Sequence, residues 1–362
     1  MIKRPYLSFT LLLLLSMCIL GGCEKEKSHT VLELFSESQS LSPKKDFYVN
    51  EDSIAIIEGL SCDGKNLIVN DYHSGCCYTL FDKKSGEYIA RFGTIGQGPA
   101  ELPSPCYGYL TESDFTVFDD QTRIVMKYSL DSLRNSRKKD GSPVRLAQYK
   151  IPEAQISKLI AIDDTTFLCA GTYKSRYQYL LFNKNDSVLD YGVDVYNTAD
   201  SAFQTYTRYL SNQGNLVMNP EKHTFAGSIN FSSNIDFFEI VNNKIELIKS
   251  LRLGDPINKP VNEEGIYYVD LTENTQTGYI DLSATSKYVY ALYSDKKMYE
   301  NSRKSDTVLV FDWDGNPIKK YSLDTDAYYI AVDSTQQSLF AAVKNSSSRS
   351  EYLSIVFLSD PL

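Results

Sequence analysis

The chain is poor in the residues that most often carry chemistry. Among 362 residues there are three histidines, five methionines and one tryptophan. His29 stands near the amino terminus, and His73 and His223 lie far apart, so no paired-histidine spacing of a zinc site occurs. Neither Cys-x-x-Cys nor a Gly-x-Ser-x-Gly elbow is present, which argues against zinc-ribbon and α/β-hydrolase chemistry. Basic charge is scarce as well: 37 Lys and Arg face 46 Asp and Glu, a net charge of −9. A chain this acidic is poorly suited to neutralising phosphates, so nucleic acid is excluded as the expected partner. Its basic cluster, Arg134, Arg137, Lys138 and Lys139, sits between Asp131 and Asp140 and reads as a solvated loop. Helical periodicity over ten or more residues is hard to find, and no apolar run long enough to cross a bilayer follows the first 23 residues.

Those first residues have their own logic. Lys3 and Arg4 precede a mostly apolar stretch from Leu7 to Leu20, and Leu20-Gly21-Gly22-Cys23 closes it with small residues before a cysteine. The apolar run is short for a membrane span and has the layout of a secretory signal. Its ending resembles the lipobox of bacterial lipoproteins. The resemblance implies a signal peptide over residues 1–22, lipid attachment at Cys23 and anchoring to the membrane through that lipid, stable once two or more acyl chains are present. Residues 23–45 are then expected to form a tether, with 46–362 as the folded domain. Removing Lys3 and Arg4 makes the mature chain two charges more negative still.

Beyond the tether the sequence is strands and turns. Tyrosine, phenylalanine, valine, isoleucine and threonine crowd short runs, which argues for an all-β fold. The runs fall into six units, and several of their strands end in Phe-Asp before a turn: Phe81-Asp82, Phe118-Asp119 and Phe311-Asp312. Each unit takes about 50 residues, slightly above the compact propeller blade. Six such units predict a six-bladed β-propeller, a fold that hides sheet edges by radial closure. The last unit has three strands, so an early strand within Asp46–Ile57 is expected to complete it. Between the first two units lies Arg91-Phe92-Gly93-Thr94-Ile95-Gly96-Gln97-Gly98-Pro99-Ala100-Glu101-Leu102. Its glycine spacing is not that of a dinucleotide site or a P-loop, and it reads as a crossover between sheets.

The fifth unit carries a family resemblance. Tyr288-Val289-Tyr290-Ala291-Leu292-Tyr293-Ser294, Val310-Phe311-Asp312-Trp313-Asp314-Gly315-Asn316-Pro317 and Ile330-Ala331-Val332-Asp333 resemble the TolB-like six-bladed propeller lipoproteins of the Bacteroidota. The resemblance extends over nearly the whole mature chain. It implies an outer-membrane lipoprotein of the cell envelope, with the periplasmic and surface faces both open, and brings no catalytic motif. Where that family usually has glycine after the Tyr-Ser of this unit, the present chain has Asp295.

Candidate sites are few. Twenty-seven tyrosines exceed what a core of this size needs, and Tyr206, Tyr209, Tyr267, Tyr268 and Tyr279 lie outside the strand cores read from the pattern. Tyrosine joins a flat apolar face to a hydroxyl at low entropic cost, which suits peptides, glycans and protein partners. Arg208 between Tyr206 and Tyr209 adds a cation for a carboxylate. Tyr206, Arg208, Tyr209, Tyr267 and Tyr279 are therefore the expected ligand-binding residues. Carboxylate pairs, Asp163-Asp164 and Asp312 with Asp314 among them, admit calcium as a cofactor, as in metal-dependent propeller lactonases and lyases. Their place at hairpins favours turn capping instead. Cys62, Cys76, Cys77, Cys106 and Cys169 form an odd set in a compartment that permits disulfides; a bridge from Cys62 to Cys76 or Cys77 and buried reduced thiols are both compatible with the spacing. The function expected is binding or scaffolding for a peptide, glycan or protein partner, without assigned catalysis. The alternatives are a metal-dependent hydrolase or lyase and an accessory subunit of an outer-membrane uptake complex.

Overall fold

The computed structural model describes residues 30–47, 54, 56–71, 75–99, 101–111, 113–135, 145–150, 156–173, 176–185, 187–194, 205–257, 259–300, 303–333, 335, 338–344 and 353–359. Val31–Leu34 form a short 3-10 turn, followed by β1 (Ser38–Leu41) and β2 (Lys45–Phe47). Blade one comprises β3 (Gly59–Cys62), β4 (Asn66–Asn70), β5 (Cys76–Asp82) and β6 (Tyr88–Thr94). Blade two is β7 (Pro105–Leu110), β8 (Asp114–Asp119), β9 (Ile124–Ser129) and, after helix α1 (Leu130–Asn135), β10 (Arg145–Lys150). Blade three is β11 (Ile156–Ala161), β12 (Thr166–Tyr173), β13 (Tyr177–Asn183) and β14 (Val188–Asp194). Helix α2 (Thr205–Ser211) leads to blade four, β15 (Gly214–Met218), β16 (Thr224–Ile229), β17 (Ile235–Val241) and β18 (Lys244–Leu251). A separate hairpin, β19 (Lys259–Glu263) and β20 (Ile266–Asp270), precedes blade five.

Blade five has β21 (Gln276–Ala284), β22 (Tyr288–Lys297), β23 (Ser305–Asp312) and the first half of β24 (Pro317–Val332). Residues Ala327–Val332 of the same strand begin blade six, which continues with β25 (Ser338–Lys344) and β26 (Leu353–Ser359). The two last blades thus share one unbroken strand. β2 pairs antiparallel with β26, Lys45 opposite Phe357, and supplies the outer strand of blade six. The innermost strands β3, β7, β11, β15, β21 and β24 touch one another in that order, and β24 touches β3, so the ring is closed. The architecture is an all-β, six-bladed propeller closed by an amino-terminal strand.

Burial explains the strand compositions. Middle strands are covered on both faces by neighbouring blades, and from Phe115 to Asp119 every residue of β8 is buried. Outermost strands face water, and β18 leaves Leu247 51 % exposed. Between blades one and two, Tyr78 packs edge-on to Phe115 at 4.8 Å, and Phe92 meets Tyr128 at 5.2 Å. Burying an aromatic ring of this size contributes about 1.5–3 kcal/mol. Tyr78, Tyr128, Tyr179, Tyr279, Tyr290, Tyr293 and Tyr321 are all buried in this way. The tyrosine surplus therefore serves inter-blade packing to a large degree, not a binding surface.

The Phe-Asp strand ends have a joint role. Phe81, Phe118 and Phe311 are in the core, while the next residue turns back to cap a bend. Asp82 accepts from the Lys84 and Ser85 N–H groups, Asp119 from Thr122, and Asp312 from Asp314 and Asn316. Asp163 does the same for Thr165 and Thr166. The glycine-rich segment is the crossover from blade one to blade two. Gly93 has φ of 71°, and a Cβ on Gly96 would fall 2.0 Å from the Glu101 carboxylate, which accepts the Gly98 N–H at 2.8 Å.

Several expectations shift. Residues 31–45, read as tether, are folded: Val31 is fully buried, Phe35 packs on Phe311 at 5.1 Å, and β1 adds a parallel strand to β24 with Ser38 opposite Lys320. Apolar Val31, Leu32 and Phe35 are the reason, since they fill the cleft between blades four and five. The closing strand begins at Lys45, one residue before the expected window. Cys62, Cys76, Cys77 and Cys169 form no disulfide; the Cys106 side chain lies outside the described residues. Cys62 pairs with Leu67 at one end of blade one, whereas Cys76 pairs with Thr94 at the other, so strand register keeps them apart. Arg134 is not a solvated loop residue. It sits in α1 and reaches back to blade one, donating to Asn66 Oδ1 at 2.7 Å and the Lys65 carbonyl at 2.7 Å. Arg137, Lys138 and Lys139 lie outside the described residues.

Candidate functional site

Closing six blades leaves a central space whose wall is their innermost strands. It forms a channel of about 1060 Å³. Its wall mixes apolar and polar side chains, because each inner strand presents its edge to the channel and consecutive residues, such as 157–160 and 279–284, border it. Tyr109 comes from β7, Lys158 from β11, Asn215 from β15, Asp281 from β21 and Tyr329 from β24. Glu58, ahead of β3, and Arg303, between β22 and β23, join them.

Asp281 is the electrostatic centre. Its carboxylate accepts the Ile330 N–H at 3.0 Å and the Leu282 N–H at 2.9 Å, tying the inner strand of blade five to that of blade six. Burial pushes its pKa up to about 6, against the two backbone donors and the positive charge of Lys158. Next to it, Ser283 Oγ accepts the Val332 N–H at 2.9 Å. On the other side, Asn215 donates to the Ile280 carbonyl at 3.1 Å, joining blades four and five. Burial also raises the Tyr329 hydroxyl to about 12, with Glu58 and Asp281 adding to the effect and Arg303 opposing it, and it raises Tyr109. Both phenols stay protonated at neutral pH and can donate hydrogen bonds into the channel.

Of the five residues singled out as ligand contacts, Tyr279 borders the channel, whereas Arg208, Tyr209 and Tyr267 lie outside its lining. α2 packs against β12 and β20, so the elements that carry Tyr206, Arg208, Tyr209 and Tyr267 do come together. Arg208 is only 6 % exposed, and the Tyr209 hydroxyl donates to the Ile156 carbonyl at 3.1 Å. Tyr267 is half-buried on β20, and the Tyr206 side chain lies outside the described residues. Tyr279 corrects the expectation most clearly: its side chain is wholly buried, edge-on to Tyr293 at 5.1 Å. It is a core residue, because Gly278 beside it lies against the Ser232 carbonyl and draws β21 onto blade four. Cys23, His29 and His73 lie outside the described residues. Among the described residues no three His, Cys, Asp or Glu side chains gather as a metal site.

Sequence reading missed the channel residues Lys158, Asp281 and Tyr329. One signal was present: a lone charge next to apolar strand residues, as in Ile280-Asp281-Leu282 or Lys158-Leu159-Ile160. Nothing in one strand says that such positions converge.

Fold and channel together define a six-bladed β-propeller with an open central cavity whose wall is part polar and part apolar. The chain belongs to the family described as TolB-like 6-blade propeller-like, whose profile matches residues 52–335. Among solved structures it is similar to a protein of Bacteroides fragilis NCTC 9343 described as exported, at 12 % identity over 89 % of this chain and 94 % of the other, with a TM-score of 0.56. It is also similar to a member of the DUF4221 family from Bacteroides vulgatus ATCC 8482, at 11 % identity over 88 % and 98 % of the two chains, with a TM-score of 0.53. At such identities the likeness is one of fold. No curated protein matches the sequence.

Proposed function

We propose that this protein is an exported, lipid-anchored propeller of the cell envelope that acts as a binding or scaffolding module, with the central channel as its ligand site. The observation that carries the reading is the channel itself: about 1060 Å³ of open space walled by Tyr109, Lys158, Asp281 and Tyr329 from four different blades. A cavity of that size whose wall mixes apolar surface with convergent polar groups suits part of a peptide or a glycan. The Leu20-Gly21-Gly22-Cys23 sequence supports the anchor, and the exported description of one similar structure agrees with the address.

Crosslinking and pull-down from intact cells tests it, with Cys23→Ala as the unanchored control and Lys158→Glu as the channel variant. Recovery of one defined ligand or complex, lost with Lys158→Glu, is the expected result. A membrane transporter as the captured species would make the protein an accessory subunit of an uptake complex. Capture unaffected by the channel substitution would remove the channel from the reading. A hydrolase or lyase is the second reading, favoured by Asp281, whose carboxyl titrates near neutral pH as a general acid or base does. Both its oxygens already hold backbone N–H groups, which is why catalysis is placed second.

A further inference from the structure

The two ends of the propeller differ. One carries the first and third turns of the blades, most of them tight, such as 63–65, 184–187, 285–287 and 313–316. The other carries the long crossovers between blades, including the glycine-rich segment, α2 and the β19–β20 hairpin. The amino-terminal segment enters at the first of these. Phe35 packs on Phe311, two residues before the turn 313–316, and Trp313 Nε1 in that turn donates to the Thr285 carbonyl in the neighbouring turn at 3.0 Å. The Glu37 carbonyl accepts the Lys320 N–H at 2.9 Å, and β1 then runs parallel to β24, away from that end.

Resting on the reading that Cys23 is lipidated, we propose that the turn-bearing end is the surface that faces the lipid, so that the crossover end, with α2 and the hairpin, points away from the membrane. The argument is one of reach. From Cys23 to Thr30 there are seven Cα steps, and a fully extended chain covers about 25 Å over that distance. Most strands of the blades run six to eight residues, so a blade is about 20–27 Å deep. Taking the anchor to the crossover end would hold the tether close to full extension along the blade. Seating the turn end on the bilayer needs no extension and leaves the tether its conformational entropy. Val31 is fully buried and β1 is hydrogen-bonded into blade five, so the exit point cannot move without unfolding that segment.

The test uses the acylated full-length protein in phosphatidylethanolamine–phosphatidylglycerol vesicles that contain a lipid with a quencher on its headgroup. A fluorophore is placed at one exposed position at a time: Asn185→Cys or Lys287→Cys on the turn end, Leu247→Cys on the outer rim, and Ile266→Cys at the hairpin tip, with the unsubstituted protein as the background for native thiols. Quenching at Asn185→Cys and Lys287→Cys is expected to exceed that at Ile266→Cys by about twofold or more, since the two ends are separated by a blade depth of about 25 Å. Strongest quenching at the hairpin tip or at the rim, or equal quenching at all sites, overturns the proposed orientation while leaving the anchor intact. Failure of the wild-type protein to float with vesicles, matching Cys23→Ala, overturns the anchor itself and the orientation with it.

Discussion

Asp295 adopts φ of 55°, a left-handed conformation that favours glycine, at the position where the resembling family usually has one. Its carboxylate accepts from Gln276 Nε2 and from the Tyr293 hydroxyl, which holds the strained backbone in place. Asp295→Gly is expected to change stability by no more than about 1 kcal/mol, relief of strain offsetting the lost hydrogen bonds. Asp295→Val, with a branched Cβ, should cost more than about 2 kcal/mol. Urea midpoints of the two variants give the order. Asp281 makes a prediction about pH. Its folded pKa of about 6 lies above that of an unfolded aspartate, so the folded state binds more protons between the two values. Its contribution to stability is therefore fully present below pH about 4 and is lost as pH rises through about 6. In Asp281→Asn that loss should vanish, so the difference between wild-type and variant stability should change sign or shrink across this window, as measured by chemical denaturation at a series of pH values.

The segment from Val31 to Phe47 is the element whose role the structure redefines. It fills the cleft beside Phe311, adds β1 to blade five and closes blade six with β2. Phe35, 8 % exposed, is its main apolar anchor. Phe35→Ala is expected to destabilise the protein by about 3–4 kcal/mol, as large-to-small core changes do. A mere tether would show no change, so a thermal melt separates the two roles. The segment's apolar residues were visible in the sequence, but Val31, Leu32 and Phe35 are too few and too irregularly spaced to display a period. The hairpin β19–β20 lies outside the strand cores legible in the pattern, because its two five-residue strands pair only with each other. Tyr267 and Tyr268 are strand residues there, not loop residues.

Ring closure involves more than β2. Lys83 of blade one pairs with Asp333 of blade six at 3.0 Å, both largely buried, and Asp333 also accepts from Ser338 and Thr335. These partners hold the Asp333 carboxyl below its ordinary range despite burial. Its stabilising effect is present above the unfolded aspartate pKa and is lost as pH falls through the lowered one. Lys83→Met leaves that carboxylate without its cation and is expected to cost about 3 kcal/mol. Faster proteolysis at the seam between blades one and six, compared with wild type, is the measurement that checks it. Blades five and six, joined through β24 and the Asp281 and Ser283 bonds, should resist longer.

The sequence by itself determined the repeated unit and its count. A middle strand buried on both faces must be apolar, and the turn after it needs an aspartate to hold its N–H groups, so Phe-Asp and its neighbours mark blades whatever they pack against. The all-β class, the crossover nature of the glycine-rich segment and the turn service of Asp163 and Asp312 were legible for the same local reason. Only the tertiary structure decided the site. Lys158, Asp281 and Tyr329 come from blades three, five and six, and what brings them to one channel is the closure of the ring, a long-range event that leaves no mark within any one strand. Burial of Arg208 and Tyr279 was decided in the same way, since their neighbours lie on other elements. That Cys62 forms no disulfide with Cys76 or Cys77 follows from strand register, which places it at the opposite end of the blade from them.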